Sequence, residues 1–258
     1  MISVLQLGPL DYATGLNLQR RLVDLRKQGA IGDVLLLLEH TPVITLGRNA
    51  KAANILAAPE FLAKKGVGVF ESDRGGDVTF HGPGQLVGYP IFDLRAFPSN
   101  EPDRKTLGAI EYIRRLEEVL IRSCASFGIP TKRIPGLTGV WTEGVEESKI
   151  AALGVHISRG VTSHGFALNV TTDLNFFNLI IPCGITTKPV TSMAKELEKP
   201  PSMEDLANTV SRQIGQVFGS QILWLESLDA LLGPPVGVPL CLPPELKQIH
   251  PEDDSAWG

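Results

Sequence analysis

The sequence predicts an α+β fold, a mixed β-sheet packed with helices. Three observations carry this reading. Strand-like and helix-like segments are interspersed without the regular strand–helix–strand alternation that builds a doubly wound parallel sheet. Twenty-six glycines and nineteen prolines among 258 residues imply many turns rather than a helical bundle. Apolar runs of strand length, such as DVLLLLEH, are bounded by glycine and proline.

Residues 2–7 read as a short strand. From 11 to about 27, Leu18, Leu22 and Leu25 recur at helical spacing, and Gly29 supplies a stop. DVLLLLEH, between Gly32 and Pro42, and the following VITLG read as adjacent strands, the first buried on both faces. Residues 59–65 form a short helix closed by Gly66, and VGVFE a further strand. In RGGDVTFHGPGQLVGYPIFDL, residues 74–94, five glycines and two prolines are interleaved with the strand-like pieces DVTF and LVGYPIFDL. Residues 105–127 make the longest helix, with Leu107, Ile110, Ile113, Leu116, Leu120 and Cys124 as its apolar stripe and Gly128 and Pro130 at its end. A second strand-rich stretch, 139–170, holds KIAALGVHIS and HGFALNV joined by the hairpin-like turn SRGVTS. After DLNFFNLIIPCGI a last helix spans about 203–218. Pro234, Pro235, Pro239, Pro243, Pro244 and Pro251 then disfavour helix or central strand, so residues 221–258 read as an appended, partly extended tail and 1–220 as the folded domain.

Charge and cysteine usage narrow the function. Twenty-four basic against twenty-eight acidic side chains give a net charge of −4, which argues against nucleic acid as the main partner. No uncharged apolar run approaches the roughly 18 residues of a membrane span. The start, MISVLQLGPLDYATG, lacks the basic region and long apolar core of a secretory signal. Cys124, Cys183 and Cys241 are odd in number and widely spaced, which suits a reducing cytoplasm and offers neither a disulfide framework nor a zinc spacing.

Several segments carry chemistry-bearing residues. Gly75, Gly76, Gly82 and Gly84 would let main-chain N–H groups approach a ligand, with Arg74 and His81 as polar tips; two tight turns flanking a strand fit the same residues. Neither a GxxxxGK[ST] phosphate loop nor a GxGxxG is present here. Cys124 lies on the apolar stripe and reads as a small buried hydrophobe, while Cys241 falls in the tail. Cys183 follows an apolar run and sits between Pro182 and Gly184, where a strand must end in a turn beside free N–H groups that favour a thiolate. A structural cysteine fits that position too. Its base is any of His40, His81, His156, His164 and His250, or a lysine. Lys149, which opens KIAALGV, reads equally as a solvated strand end, and spacing alone does not bring it to Cys183.

Four segments in order, RGGDVTFHGPGQLVGYPIFDL, GVWTEG, KIAALGVHISRGVTSHGFALNV and DLNFFNLIIPCGI, closely resemble the lipoyl(octanoyl) transferase family over about residues 1–220. The resemblance implies a fold similar to biotin and lipoate protein ligases, a mixed sheet backed by helices with a smaller sheet beside it. It implies transfer of an octanoyl group from acyl carrier protein to a lysine on the lipoyl domains of 2-oxoacid dehydrogenases or the glycine-cleavage H protein. By position in the motifs, Cys183 is the nucleophile and Lys149 the lysine that tunes it. The acyl pocket maps onto Arg74, Gly75, Gly76, Asp77, Val78, Thr79, Phe80 and His81, then Ala152, Leu153 and Gly154, then Gly165, Phe166 and Ala167. A free thiol and a free amine titrate near about 8.5 and 10.4, so proton transfer from thiol to amine is favoured by roughly 2.6 kcal/mol in water. An acyl thioester is already activated, so neither ATP, a metal nor another cofactor is expected. The rival readings are an ATP-using lipoate or biotin ligase, which works without a PCG cysteine, and a non-catalytic binder of lipoyl domains.

Overall fold

The computed structural model describes residues 1–182 and 188–232. Its elements run β1 (Ile2–Leu10), α1 (Tyr12–Lys27), β2 (Asp33–His40), β3 (Val43–Leu46), α2 (Pro59–Lys64), β4 (Gly68–Glu71), β5 (Val78–His81), β6 (Gln85–Ile91), α3 (Ala109–Ser126), β7 (Thr131–Ile134), β8 (Leu137–Thr142), β9 (Lys149–Ser158), β10 (Val161–Asn169), α4 (Met193–Glu196), α5 (Met203–Phe218), β11 (Ile222–Trp224) and α6 (Leu228–Leu232). Eight strands form one mixed sheet in the order β11-β1-β2-β6-β10-β9-β8-β7, and β4-β3-β5 form a smaller sheet. The α+β architecture with two sheets agrees with the sequence reading.

The apolar run of β2 lies in the main sheet between β1, which it pairs in parallel, and β6, which it pairs antiparallel. Alternate residues of β2 therefore supply two different cores. Leu35 and Leu37 pack with Leu116, Leu120 and Ile214 on the face covered by α3 and α5. Val34, Leu36 and Leu38 pack with Leu22 and Val23 of α1 on the opposite face. The small sheet closes a third cluster with Ile44, Val78, Phe80, Leu62 and Phe177, in which Phe80 stacks on Phe176 at 4.7 Å.

Helix ends follow local chemistry. Asp11 caps α1 by accepting from Thr14 N at 2.9 Å. Ser202 caps α5 by accepting from Asp205 N at 3.0 Å, and Gly219 closes it in the left-handed region at φ 61°. The long helix differs from expectation. It begins at Ala109, not 105, because Leu107 N bonds to Phe97 O and Thr106 bridges Pro98, which commits those backbone groups elsewhere. Ile110 is 74% exposed; the buried face is carried by Tyr112, Leu116, Val119, Leu120 and Cys124. Residues 222–224, assigned from sequence to the tail, pair in parallel with β1, and Leu228, Leu231 and Leu232 pack on the α1 side of the sheet. Among the described residues no helix is long and apolar enough to cross a membrane, and no group of three or more His, Cys, Asp or Glu side chains is arranged to hold a metal ion.

Candidate active site

The RGGD loop connects β4 to β5 within the small sheet and lies against the large one. Arg74 is only 7% exposed, and its guanidinium ties the loop to β3. Nη2 donates to Thr45 O and Asp77 O at 2.7 Å each and to Thr45 Oγ1 at 2.9 Å, Nε to Thr45 Oγ1 at 3.2 Å, and Nη1 to Gly75 O at 3.1 Å. Asp77 accepts from Asn54 Nδ2 at 2.6 Å and from Val78 N at 2.7 Å. Gly75 N donates to Val155 O at 2.9 Å, which pins the loop to β9.

Under this loop runs a cavity along the face of β9 and β10. Arg74, Gly76, Asp77, Thr79 and His81 line one side; Ala152, Leu153, Gly154, Gly165, Phe166 and Ala167 line the other. All of the pocket residues expected from the motifs therefore border one cavity except Gly75, Val78 and Phe80. Strand alternation excludes the last two: Thr79 and His81 face the cavity, while Val78 and Phe80 point into the small sheet's core. Space for a ligand comes from glycine. Gly154 and Gly165 are paired directly across β9 and β10. A Cβ on Gly165 would lie 2.2 Å from Gly88 O, and one on Gly154 would lie 2.8 Å from Gly75 O.

Four further residues border the cavity without having been assigned to it from sequence: Tyr12, Val87, Tyr89 and His164. They come from three elements, and only their assembly gives the signal. Tyr89 donates to His40 Nε2 at 2.6 Å, since His40 Nδ1 is committed as donor to Leu10 O at 3.0 Å. Burial lowers the His40 imidazole and raises the Tyr89 phenol well above its ordinary value. His164 bonds through Nε2 to Asp73 Oδ1 at 2.7 Å, and that bond drops the Asp73 carboxyl to about 2.

Lys149 is 6% exposed, at the first position of β9, three residues along the strand from Ala152. A β-bulge aims it. Trp141 pairs with Lys149 and Val140 with Ala151, so Ile150 is the extra residue on the β9 side, and Ile150 and Ala151 both enter the core under α3. Lys149 is thereby turned to the opposite face, with Nζ 4.7 Å from the Trp141 ring centroid. Its main chain is clamped by the segment after residue 187: Lys149 N donates to Pro189 O at 2.8 Å, and Thr191 N donates to Lys149 O at 3.0 Å. Lys188 Nζ lies 6.0 Å from the same indole and pairs with Glu147.

A polar chain connects this end to the cavity. Gln85 Nε2 donates to Asn169 Oδ1 at 2.8 Å and to Phe80 O at 3.2 Å, so its Oε1 accepts from His81 Nδ1 at 2.7 Å. Asn169 Nδ2 donates onward to Thr191 O at 2.9 Å. Burial, helped by the nearby His40, pushes the His81 imidazole down to about 3, so it stays neutral with its proton on Nδ1. Cys124 is on the buried face of α3, and burial pushes its thiol up to about 12. Cys183 and Cys241 lie outside the described residues, as does His250.

Comparison with known proteins bears on the family and on the fold. Residues 11–215 match the family model described as lipoyl protein ligase A/B catalytic domain. A protein named octanoyltransferase from Koribacter versatilis is 60% identical over 258 residues, covering 100% of both chains. Another of the same name, from Acidobacterium capsulatum, is 59% identical over 237 residues, 90% of this chain and 96% of that one. Among solved structures, lipoate-protein ligase A bound with ATP superposes with a TM-score of 0.66 at 16% identity, covering 88% of this chain and 87% of that one. A bipartite lipoate protein ligase from Thermoplasma acidophilum gives 0.63 at 17%, covering 88% and 85%. At such identities the likeness speaks for the fold alone.

Proposed function

The chain belongs to the lipoyl protein ligase A/B catalytic-domain family, and from that premise we propose that it is an octanoyltransferase of lipoate biosynthesis that passes the acyl group through a thioester on Cys183. Its relatives, at 47–60% identity, carry the name octanoyltransferase, and the acyltransferase class follows from them. The observation that carries the finer reading is the placement of Lys149. A bulge turns it, buried, to the sheet face along which the glycine-floored cavity runs. The chain returns to Lys149 at Pro189, six positions after Cys183.

In this reading the Cys183 thiolate attacks the carbonyl of an octanoyl thioester on acyl carrier protein. The carrier's thiolate leaves and takes the proton of the Lys149 ammonium, and one thioester replaces another. The lysine amine of a lipoyl domain, from a 2-oxoacid dehydrogenase or the glycine-cleavage H protein, then attacks the acyl-enzyme. An N–C bond forms, the C–S bond to Cys183 breaks, and Lys149 takes the proton lost by the amine. The cavity holds the chain in a dry, narrow slot, and the neutral His81 is compatible with an uncharged acyl group. Because the donor is a thioester, the reaction draws on no ATP, and we place it in the cytoplasm.

Incubation with octanoyl-carrier protein, without ATP and with EDTA present, followed by intact-mass measurement, tests this. One octanoyl adduct is expected on wild-type enzyme and on Cys124→Ala, and none on Cys183→Ala. An adduct mapped to any other residue, or formation only with ATP, Mg²⁺ and free octanoate, refutes the mechanism.

A further inference from the structure

We infer that His164, clamped by Asp73 and Gln19, is the end wall of the acyl cavity and limits the length of acyl chain that the enzyme takes. The inference rests on reading that cavity as the acyl site. His164 stands at φ 55°, in a region that residues bearing a Cβ rarely occupy. Two side chains from separate elements hold it there. Gln19 Oε1 of α1 accepts from His164 N at 2.8 Å, and Asp73 Oδ1 takes the ring Nε2 at 2.7 Å. The ring is 3% exposed. Asp73 precedes Arg74, so the loop that roofs the cavity also fixes its end.

Beyond this pair lies a second cavity, between α1 and the far ends of β9 and β10. Leu16 and Val23 supply apolar wall there beside the charged Arg20, Asp24 and Lys27, His156 and Ser163 form the strand side, and His164 borders both cavities. The two spaces lie in line along the strands, because Gly154 and Gly165 of the first are followed in register by His156 and Ser163 of the second. From Lys149 to Gly154 a strand advances about 16 Å. Eight carbons in extended zigzag, with bonds of about 1.5 Å, cover about 9 Å. That chain fits in the span with room for the thioester, whereas one of sixteen carbons, about 19 Å long, overruns it and meets the imidazole.

His164→Gly removes the ring at a position whose backbone conformation glycine adopts freely, and it joins the two cavities. The test is the ratio of kcat/KM for hexadecanoyl- and octanoyl-carrier protein in wild type and variant, with thermal melts to verify folding. Each methylene that gains apolar contact is worth about fourfold, and about two carbons pass the wall, so the ratio is expected to rise by about tenfold. Asp73→Ala, which leaves the ring but frees it, is expected to move the ratio the same way by a smaller factor, and it decides the matter if His164→Gly does not fold. An unchanged ratio in a folded variant of an enzyme that transfers octanoyl normally overturns the wall alone. Wild-type enzyme that transfers no octanoyl group overturns the acyl-site reading and the wall with it.

Discussion

Gly154→Ala is the sharpest probe of how the roof loop and the strand floor fit together. A Cβ on Gly154 would stand 2.8 Å from Gly75 O, 3.3 Å from Arg74 Cδ and 3.5 Å from Arg74 Nη1, where ordinary contact begins at 3.4 Å. The carbonyl must retreat by about 0.6 Å. It cannot do so alone, because Gly75 N is bonded to Val155 O, one residue further along β9, and Gly75 O accepts from Arg74. Pushing the loop outward therefore strains the guanidinium network that ties it to Thr45 and Asp77. Overpacking of this kind costs about 1–3 kcal/mol, which for a domain of this size lowers Tm by about 2–12 °C. The added methyl also narrows the cavity between β9 and the loop above it, and displacements approaching 1 Å cost up to about a hundredfold in rate. Octanoyl transfer is expected to fall at least about tenfold, with KM for the acyl donor raised. Gly32→Ala, whose Cβ meets nothing within 4 Å, is the control and is expected to change stability by no more than about 0.5 kcal/mol. A Gly154→Ala enzyme with wild-type Tm and wild-type transfer would refute the close fit of loop to strand.

Lowering pH should destabilise the protein through His81. Its imidazole titrates at about 3 when folded against 6.5 ordinarily, so between those values the unfolded chain binds a proton that the folded chain does not. Stability is thus full above pH 6.5 and is lost as pH falls, by up to about 2 kcal/mol from pH 7 to pH 5. Urea midpoints at both pH values should show this, and His81→Gln should flatten the slope; an undiminished slope would assign it elsewhere. Lys149→Ala is expected to lose both half-reactions. Lys149→Arg, which keeps a charge that cannot be shed at working pH, should retain alkylation of Cys183 by iodoacetamide yet transfer poorly to the lipoyl-domain amine. Near-wild-type turnover and alkylation in Lys149→Ala would reduce that lysine to a packing role.

Local sequence determined much of this molecule. The apolar run Val34, Leu35, Leu36, Leu37 and Leu38 reads as a strand buried on both faces, and it lies inside the large sheet between two cores. The helix over 203–218 is legible from its periodicity, with Gly219 as its stop. Glycine clustering in RGGDVTFHGPGQ marked a place where backbone comes close to something, whereas its other wall, around Ala152 and Gly165, was implied only by the family resemblance. These features depend on a residue's own turn chemistry and burial, which near neighbours in the chain record.

What only tertiary structure decided depends on register between distant segments. A period-2 reading cannot show that Ile150 is a bulge residue, yet that extra residue is what turns Lys149 away from the core under α3 and toward Trp141. Nor does it show that Gly154 opposes Gly165, or that Thr79 and His81 rather than Val78 and Phe80 face the cavity. The positive φ of His164 follows from Gln19 and Asp73, 145 and 91 positions away in the chain. The parallel pairing of Ile222 with Ile2 brings into the sheet a segment whose following prolines had marked it as tail. A one-residue slip in any of these pairings would present the opposite set of side chains, and pairing energies between segments so far apart leave no trace in the local pattern.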